Sequence, residues 1–356
     1  ARAGRAGRGR GIWTGRAPLS GRMETPATPP AAPPAEAPAA PPPAAGDTHD
    51  AYDPALAPQP FGLHNTGAIC YLNSFLQMLV GCTAFTRAVL RGAPYFAQTR
   101  TGAAVHAFVR AAGPGGRPAA DVARHSAAVL AALAEDLRAR RPRVRFGGGQ
   151  ESASEALVHI LDMMEPAGAA PAESPATRLF LHRFRCELHC PACRRVVSTE
   201  TDSAVVLSLF HLDAPGAQGG PGAFSAAVCR QTSPTADYRC PGCGRRGPAL
   251  RVYTLAMAPE ILVCAFNLYE GYGGARRRRD FPERVELPAA GGGRLVYRLV
   301  GQVEHAGCLS GGHYWARGLR AGGAVHVLND TGVAPAAFAP TPDTYMVAFH
   351  YAGREA

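Results

Sequence analysis

Leu72, Phe75, Leu76 and Leu79 recur at i, i+3, i+4 and i+7, the spacing of a helix with one core-facing stripe. The residues before it, Gly62-Leu63-His64-Asn65-Thr66-Gly67-Ala68-Ile69, are punctuated by glycine and polar side chains and read as a loop that delivers Cys70 to the helix start. Apolar stretches around 103–112 and 122–137 predict two more helices, with the loop Gly113-Pro114-Gly115-Gly116 between them and a basic, exposed stretch over 138–145. Ala156, Leu157, Ile160, Leu161 and Met164 form another helical stripe behind the Gly-rich entry 147–149. From residue 179 the period shortens. Phe184, Cys186 and Leu188 alternate, and the apolar runs 205–210, 250–255, 261–266, 295–302, 325–328 and 346–350 predict strands, with a short helix-like segment after the loop that ends at Pro221. Helices first and strands afterwards predict an α+β fold.

Residues 24–60 are dense in Pro and Ala, with almost no large apolar side chain before Tyr52. Such a segment cannot offset its ordering entropy by burial, so 1–58 is expected to be a disordered leader, Arg/Gly-rich and then Pro/Ala-rich, ahead of one domain over 59–353. The first residue is Ala and the Arg/Gly opening lacks the apolar core of a secretory signal, so 1–22 read as an upstream artefact with Met23 as the start. No apolar run approaches the ~18 residues of a membrane helix. The net charge of +10 would suit nucleic acid, but six arginines fall in 1–22 and four more form the run Arg276 to Arg279. No basic helix or aromatic-interleaved stripe accompanies them, which argues against a nucleic-acid binder. Ten cysteines without a signal peptide point to a reducing compartment, the cytosol by default, and to metal or catalytic roles over disulfides.

Two Cys-x-x-Cys knuckles, Cys190/Cys193 and Cys240/Cys243, offer four thiolates from two tight turns, the sulfur set of a structural Zn²⁺. A Pro follows the first cysteine of each. A redox pair would need one knuckle only. The ~46 residues between them exceed ordinary zinc-ribbon spacing. A closed four-Cys site leaves no position for a substrate water, so one zinc per chain would be structural.

Cys70 at a helix N-terminus would have its pKa lowered by the partial positive charge and free N–H groups there. A thiolate nucleophile also needs a base, and the base an orienting partner. Gly311-Gly312-His313-Tyr314-Trp315-Ala316 and, sixteen residues after His313, Asn329-Asp330 supply both types. Taken singly, each has an ordinary reading: a buried thiol, a structural histidine, a turn. Together, the cysteine box around Cys70 and the histidine box around His313 resemble the ubiquitin-specific cysteine proteases, over about residues 61–351.

That resemblance implies a papain-like fold, with a helical thumb over about 59–175 and a β-sheet palm and zinc-ribbon fingers over about 176–353. It implies that Cys70 attacks the carbonyl after a modifier's C-terminal glycine and that His313 is general base and then acid. Asn329 would orient His313, with Asp330 the nearby alternative, and Asn65 would be the oxyanion-hole side chain. The chain departs from the pattern at Ala68-Ile69, where the family usually has Asn-Thr, and at Ser152, usually Asp, while keeping Gln150, Ala153 and Glu155. Cys82, Cys186, Cys229, Cys264 and Cys308 lack comparable surroundings and read as core or surface thiols.

Within the family, Gly62 to Gly67, Ala84-Phe85-Thr86-Arg87, Leu207-Ser208-Leu209-Phe210 and the compact size look like the interferon-induced member that removes a two-domain ubiquitin-like modifier from lysines. This implies that modifier and its conjugates as partners, a monomer in the cytoplasm and also the nucleus, and a damping role at the type I interferon receptor and its signalling proteins. The alternatives are a general deubiquitinase acting on ubiquitin conjugates and a catalytically weak protein that only binds. Modifier choice would lie on the outer surface, at Ser152, Ser154, Val158 and Cys264. All the basic residues are Arg, with no Lys. GC-rich coding bias accounts for that, as would the advantage of offering modifier ligases no acceptor amine.

Overall fold

The computed structural model of the chain describes residues 51–144, 146, 151–209, 222–268, 280–289, 291–308 and 311–356. The leader before residue 51, the Gly-rich entry with Gln150, Phe210 with the loop to Pro221, and Arg276 to Arg279 lie outside the described residues.

Among the described residues six α-helices come first: α1 (Cys70–Gly81), α2 (Thr83–Arg91), α3 (Ala93–Phe96), α4 (Arg100–Ala111), α5 (His125–Arg140) and α6 (Ala153–Met164). Then come β1 (His182–Cys190), β2 (Arg195–Ala204), β3 (Leu207–Leu209), α7 (Ala223–Cys229), β4 (Arg230–Arg239), β5 (Arg246–Met257), β6 (Ile261–Phe266) and β7 (Arg284–Pro288). The chain closes with β8 (Arg294–Cys308), β9 (Gly311–Leu319), β10 (Val325–Asn329), β11 (Gly332–Ala336) and β12 (Thr344–Glu355). This is the α+β architecture predicted, with α2, α3, β4, β7, β9 and β11 added to the predicted elements and α5 beginning after a 3-10 turn at Val122–Arg124.

Capping fixes where several helices begin. Thr99 Oγ1 accepts the Gly102 N–H at 2.9 Å to start α4, and Ser152 Oγ takes that of Glu155 to start α6. Asp136 on α5 accepts both the backbone N–H and the hydroxyl of Thr101, each at 2.8 Å, which ties α5 to the first turn of α4.

The palm is an eight-stranded sheet in the order β11-β10-β9-β8-β12-β6-β3, with β7 on β8, antiparallel except at β3–β6. The fingers are a separate four-stranded antiparallel sheet, β2-β1-β5-β4. Ile261, Val263 and Ala265 on β6 face the helical core, while Leu262, Cys264 and Phe266 face a second core built with α7 and β7. Met346 and Ala348 against Val347 and Phe349 divide β12 in the same way. A strand buried on both faces has no polar side to alternate with, which is why these segments read as unbroken apolar runs.

The single apolar stripe expected of α1 is exceeded, because all twelve of its residues are buried. Two of the polar ones are tied to backbone carbonyls, while the Tyr71 hydroxyl and Asn73 Oδ1 are buried without a partner among the described residues. Ser74 donates to Tyr71 O at 2.8 Å and Gln77 Nε2 to Phe61 O at 2.7 Å. Arg320, fully buried, sends Nη2 to Gln77 O at 3.1 Å and Oε1 at 2.5 Å, and Nη1 to Leu319 O at 3.0 Å. It lies at the end of α1 where unpaired carbonyls favour a cation. Burial lowers its pKa to about 10, which leaves it charged at neutral pH.

The folded region begins earlier than residue 59. Tyr52 N donates to Tyr351 O at 3.0 Å, Asp53 pairs with Arg87 at 3.2 Å, Pro54–Leu56 form a 3-10 turn and Ala57 is buried. Tyr52 is the first large apolar side chain after the Pro/Ala stretch, and it packs against the helical core. At the other end β12 runs on to Glu355, past the expected boundary at 353.

Candidate active site and metal centre

The loop before α1 is built on one side chain. Asn65 Oδ1 accepts the N–H groups of Gly67 at 3.1 Å and Ile69 at 3.2 Å, closing a turn that hands Cys70 to the first position of the helix. Gly67 and Ala68 both have positive φ there, 121° and 52°. Ala68 thus occupies a left-handed conformation that glycine and asparagine adopt at less cost.

Cys70 is 3% exposed. Its thiol receives the backbone N–H of Tyr314, the residue after His313, so β9 lies directly against the start of α1. Burial nevertheless pushes the Cys70 pKa up, with the Asp330 carboxylate adding to the effect and the N–H groups of Tyr314, Tyr71 and Cys70 itself opposing it. The helix N-terminus alone therefore does not make this thiol a thiolate, and the lowering expected from the sequence is reversed by desolvation. Among the described residues no hydrogen bond joins the thiol to the His313 ring.

The β8–β9 hairpin presents His313 opposite Ala306. Close approach of the two strands requires glycine here: a Cβ at Gly312 would overlap the Ala306 carbonyl oxygen and the His305 ring. His313 Nε2 donates to Asn329 Oδ1 at 2.6 Å. The β9–β10 register explains the pairing, because Leu328 opposes Ala316 and Asn329 then lies diagonal to His313 on the same face. Trp315, two residues along that face, stacks on the His313 ring at 6.1 Å between centroids.

Asp330 follows in the β10–β11 turn with φ 49°, a conformation aspartate tolerates. Its carboxylate accepts from Asn65 Nδ2 at 3.0 Å and from Asn73 Nδ2 at 2.7 Å. The residues Cys70, Asn65, His313, Asn329 and Asp330 therefore meet where the start of α1 faces the ends of β9 and β10. Asp330 holds the Asn65 amide rather than the His313 ring.

Asn73, Glu304, the Tyr314 backbone and the Trp315 ring complete this neighbourhood, in roles that the sequence alone does not assign. Asn73 also donates to His64 O at 3.3 Å. Its signal was available: Asn73 and Gln77 are amides one turn apart on an otherwise apolar helix, and buried amides need partners. The Tyr314 contribution is a backbone group, which no side-chain pattern reveals.

Of the residues expected on the modifier-facing surface, Ser152 and Ser154 are half-buried, whereas Cys264 lies away from it. The two serine hydroxyls bond the Tyr345 hydroxyl at 2.7 Å and 2.6 Å. Cys264 is fully buried in the second core. Val158 is half-buried against the first.

The four knuckle cysteines come together at the tip of the fingers, with all four sulfurs within 4.8 Å of one another. Cys190 and Cys243 are 3.9 Å apart, as are Cys193 and Cys240. Zn–S bonds of about 2.3 Å in a tetrahedron put sulfurs about 3.8 Å apart, so the set fits zinc. Each knuckle closes by the same backbone bond, Arg194 N to Cys190 O and Gly244 N to Cys240 O, both 2.8 Å, with Arg194 and Gly244 at positive φ. The N–H of Cys193 pulls the Cys190 thiol down to about 7, while that of Cys243, against the pull of the Arg245 N–H, is pushed up to about 11 by burial and the neighbouring thiols, so the four sulfurs titrate as one cluster. The other cysteines are free thiols, so no disulfide occurs among the described residues.

The ubiquitin carboxyl-terminal hydrolase family matches residues 61–346. "Ubiquitin carboxyl-terminal hydrolase 36" of Drosophila simulans is 26% identical over 313 residues, covering 77% of this chain and 29% of the relative. The protein of the same name from Drosophila mojavensis is 25% identical over 329 residues, covering 82% and 26%. The chain thus spans less than a third of the length of these curated relatives. Among solved structures, a chain of the SAGA DUB module Ubp8/Sgf11/Sus1/Sgf73 bound to monoubiquitin superposes with a TM-score of 0.64 at 17% identity, covering 87% of this chain and 72% of that one. A chain of that module bound to ubiquitin aldehyde gives 0.62 at 18% identity, covering 83% and 70%. At this identity the likeness speaks for the fold.

Proposed function

The chain belongs to the ubiquitin carboxyl-terminal hydrolase family, and on that premise we propose that it is a cysteine-type hydrolase that cuts ubiquitin or a ubiquitin-like modifier from its conjugates after the modifier's C-terminal glycine. The observation that carries this is the Cys70 thiol on the backbone N–H of Tyr314, the neighbour of His313, whose ring Asn329 holds at 2.6 Å.

Because an amide oxygen only accepts, the ring proton sits on Nε2, and Nδ1 is left with its lone pair for the thiol. The thiol is buried and needs that base. Transfer of its proton to Nδ1 creates thiolate and imidazolium together, each stabilising the other where burial penalises either alone. The thiolate attacks the carbonyl carbon. Asn65, with Oδ1 occupied by two backbone N–H groups and one amide proton by Asp330, has a second amide proton for the oxyanion, alongside the N–H groups at the start of α1. Imidazolium then protonates the leaving lysine amine, and water releases the acyl group from Cys70 by the same route.

The zinc of the knuckles, when bound, supplies folding energy to the fingers and no step of the reaction. Cys190, Cys193, Cys240 and Cys243 would hold it. Free thiols and the absence of disulfides among the described residues suit a reducing compartment such as the cytoplasm or nucleus.

For the modifier, ubiquitin is the reading we favour: the names of the relatives and the ligands of the neighbouring structures are ubiquitin's. The finer reading, the two-domain interferon-induced modifier with a role at the type I interferon receptor, rests on the sequence of the segments 62–67, 84–87 and 207–210. It loses one support, since Cys264 is buried. Propargyl-terminated probes of both modifiers, each incubated with the protein and with Cys70→Ala, test both levels. Labelling of the native protein alone by the ubiquitin probe is expected. Labelling of neither would overturn the hydrolase reading, and preference for the two-domain probe would restore the finer one.

A further inference from the structure

On the face of the palm that carries His313, strand register sets Thr344, Glu304 and Trp315 side by side on β12, β8 and β9. The β9–β10 register, continued one residue past Leu328–Ala316, brings Asn329 opposite Trp315. One rung thus runs from the interior of the sheet to the residue that holds the His313 ring.

Glu304 is 1% exposed, a burial that a carboxylate sustains only when its oxygens are occupied. Oε2 accepts the indole N–H of Trp315 at 2.6 Å and the Nε–H of Arg317 at 3.0 Å. Oε1 accepts the Thr341 hydroxyl at 2.7 Å and Gln302 Nε2 at 3.3 Å. Arg317 is the balancing charge and is itself fixed by Nη1 to Ala337 O at 2.8 Å. The indole held in this way lies nearly parallel to the His313 ring, 23° between planes at 6.1 Å. A buried ion pair is weak evidence for a stability role, since apolar side chains of similar size would serve the sheet as well. What Glu304 adds over a leucine is a fixed orientation for Trp315.

We propose that Glu304 is a positioning residue: through the indole N–H of Trp315 it fixes the wall on which the His313 ring stacks, and so keeps that ring in the plane from which Nε2 meets Asn329 while Nδ1 faces the thiol. The inference rests on the reading of His313 as the base. A ring free to rotate on its χ angles spends part of its time with Nδ1 turned from Cys70, and only the aligned fraction reacts. Glu304 is buried and meets no substrate, so its effect falls on kcat and leaves KM alone.

The test is steady-state hydrolysis of a fluorogenic ubiquitin substrate by the full chain and its variants. Glu304→Gln keeps the shape but loses the charge, and Trp315→Phe keeps an aromatic face but loses the N–H. Each is expected to lower kcat about tenfold with KM within about twofold, and Glu304→Gln/Trp315→Phe to be no worse than the weaker single variant, because both remove one linkage. Unchanged kcat in Trp315→Phe and Glu304→Gln, losses that multiply in the double variant, or equal changes in KM would overturn the positioning role. His313→Ala is the separate arm: full activity in that variant, or none in the native protein, would overturn the catalytic reading instead. Trp315→Phe breaks a single bond of the Glu304 cluster, so the proposal stays testable if Glu304→Gln fails to fold.

Discussion

His313 Nε2 and Asn329 Oδ1 are 2.6 Å apart, and this bond decides which ring nitrogen is basic. Replacing Asn329 by Ala removes the acceptor, so the neutral ring can place its proton on either nitrogen and turn. We expect kcat to fall by about 10²-fold or more, by analogy with losing the orienting member of a triad. Asn329→Asp keeps an acceptor at the same place and should retain most of the rate. Hydrolysis of a fluorogenic ubiquitin substrate by the two variants separates the cases, and equal activity in both would show that the bond does not set the tautomer.

Asn65 has two tasks that can be separated. Its oxygen closes the loop onto Gly67 and Ile69, and its amide nitrogen faces Asp330 and the site. Asn65→Ala loses both and is expected to cost about 1–3 kcal/mol of stability together with about 10²-fold in turnover. Asn65→Asp keeps the acceptors but has no donor and sets a second carboxylate beside Asp330, so turnover should fall at least as far. Activity unchanged in Asn65→Asp would remove the side chain from the oxyanion hole.

Ala68 holds φ 52° one residue before Ile69 caps α1. The left-handed conformation costs an ordinary L-residue roughly 1–2 kcal/mol, less for asparagine and nothing for glycine. Ala68→Gly or Ala68→Asn should therefore raise stability by about 1 kcal/mol, about 2 °C in melting temperature for a chain of this size. Differential scanning fluorimetry measures it. Destabilisation by both substitutions would show that the Ala68 methyl makes a contact worth more than the strain.

How much of this was legible beforehand differs from one element to the next. The helix at Cys70 announces itself by the period of its apolar stripe, and the strand Ile261–Phe266 by an unbroken apolar run, the mark of burial on both faces. The strand that carries His313 does not: its burial alternates weakly and glycines occupy its start, where strand approach rather than packing chooses the residue. The fingers strand Arg230–Arg239 buries one residue only and so carries no apolar pattern. At the candidate site, side-chain types singled out Cys70, His313, Asn329 and Asn65, which the fold brings to one region, while the partner of Asp330 could not be read from its place beside Asn329. That assignment depends on which way a turn residue points, which only the β10–β11 geometry sets. The Cys70 environment was misjudged for a related reason, since a helix terminus is local and visible but desolvation comes from the whole fold.

The knuckles stand at the end of β1 away from Phe184, which belongs to the second core. Removing their zinc should therefore loosen the four-stranded fingers sheet before it disturbs the palm. Elemental analysis should find one zinc per chain, and Cys190→Ser, Cys243→Ser or prolonged chelation should open the 190–200 and 236–246 segments to limited proteolysis. A folded, protease-resistant protein free of zinc would show that the four thiols are held by the backbone turns alone.

His182 gives the fold a pH dependence of its own. The ring is fully buried at the first position of β1, edge-on to Phe184, with Nδ1–H toward Phe180 O at 3.3 Å and Nε2 without a partner. Burial pushes its pKa down to about 4, against a weaker opposing pull from the Phe180 carbonyl. In the unfolded chain the ring titrates near 6.5. Above that pH neither state holds the proton and stability is level. Between about 6.5 and about 4 the unfolded chain binds a proton that the native ring refuses, so stability falls as pH falls, by up to about 3 kcal/mol for this one group, and levels again below 4. His182→Gln removes the titration while keeping a polar side chain. Urea midpoints from pH 7 to pH 4.5 should decline less steeply for the variant than for the native protein. If the two profiles run parallel, the acid sensitivity of the fold lies in its carboxylates and not in this ring.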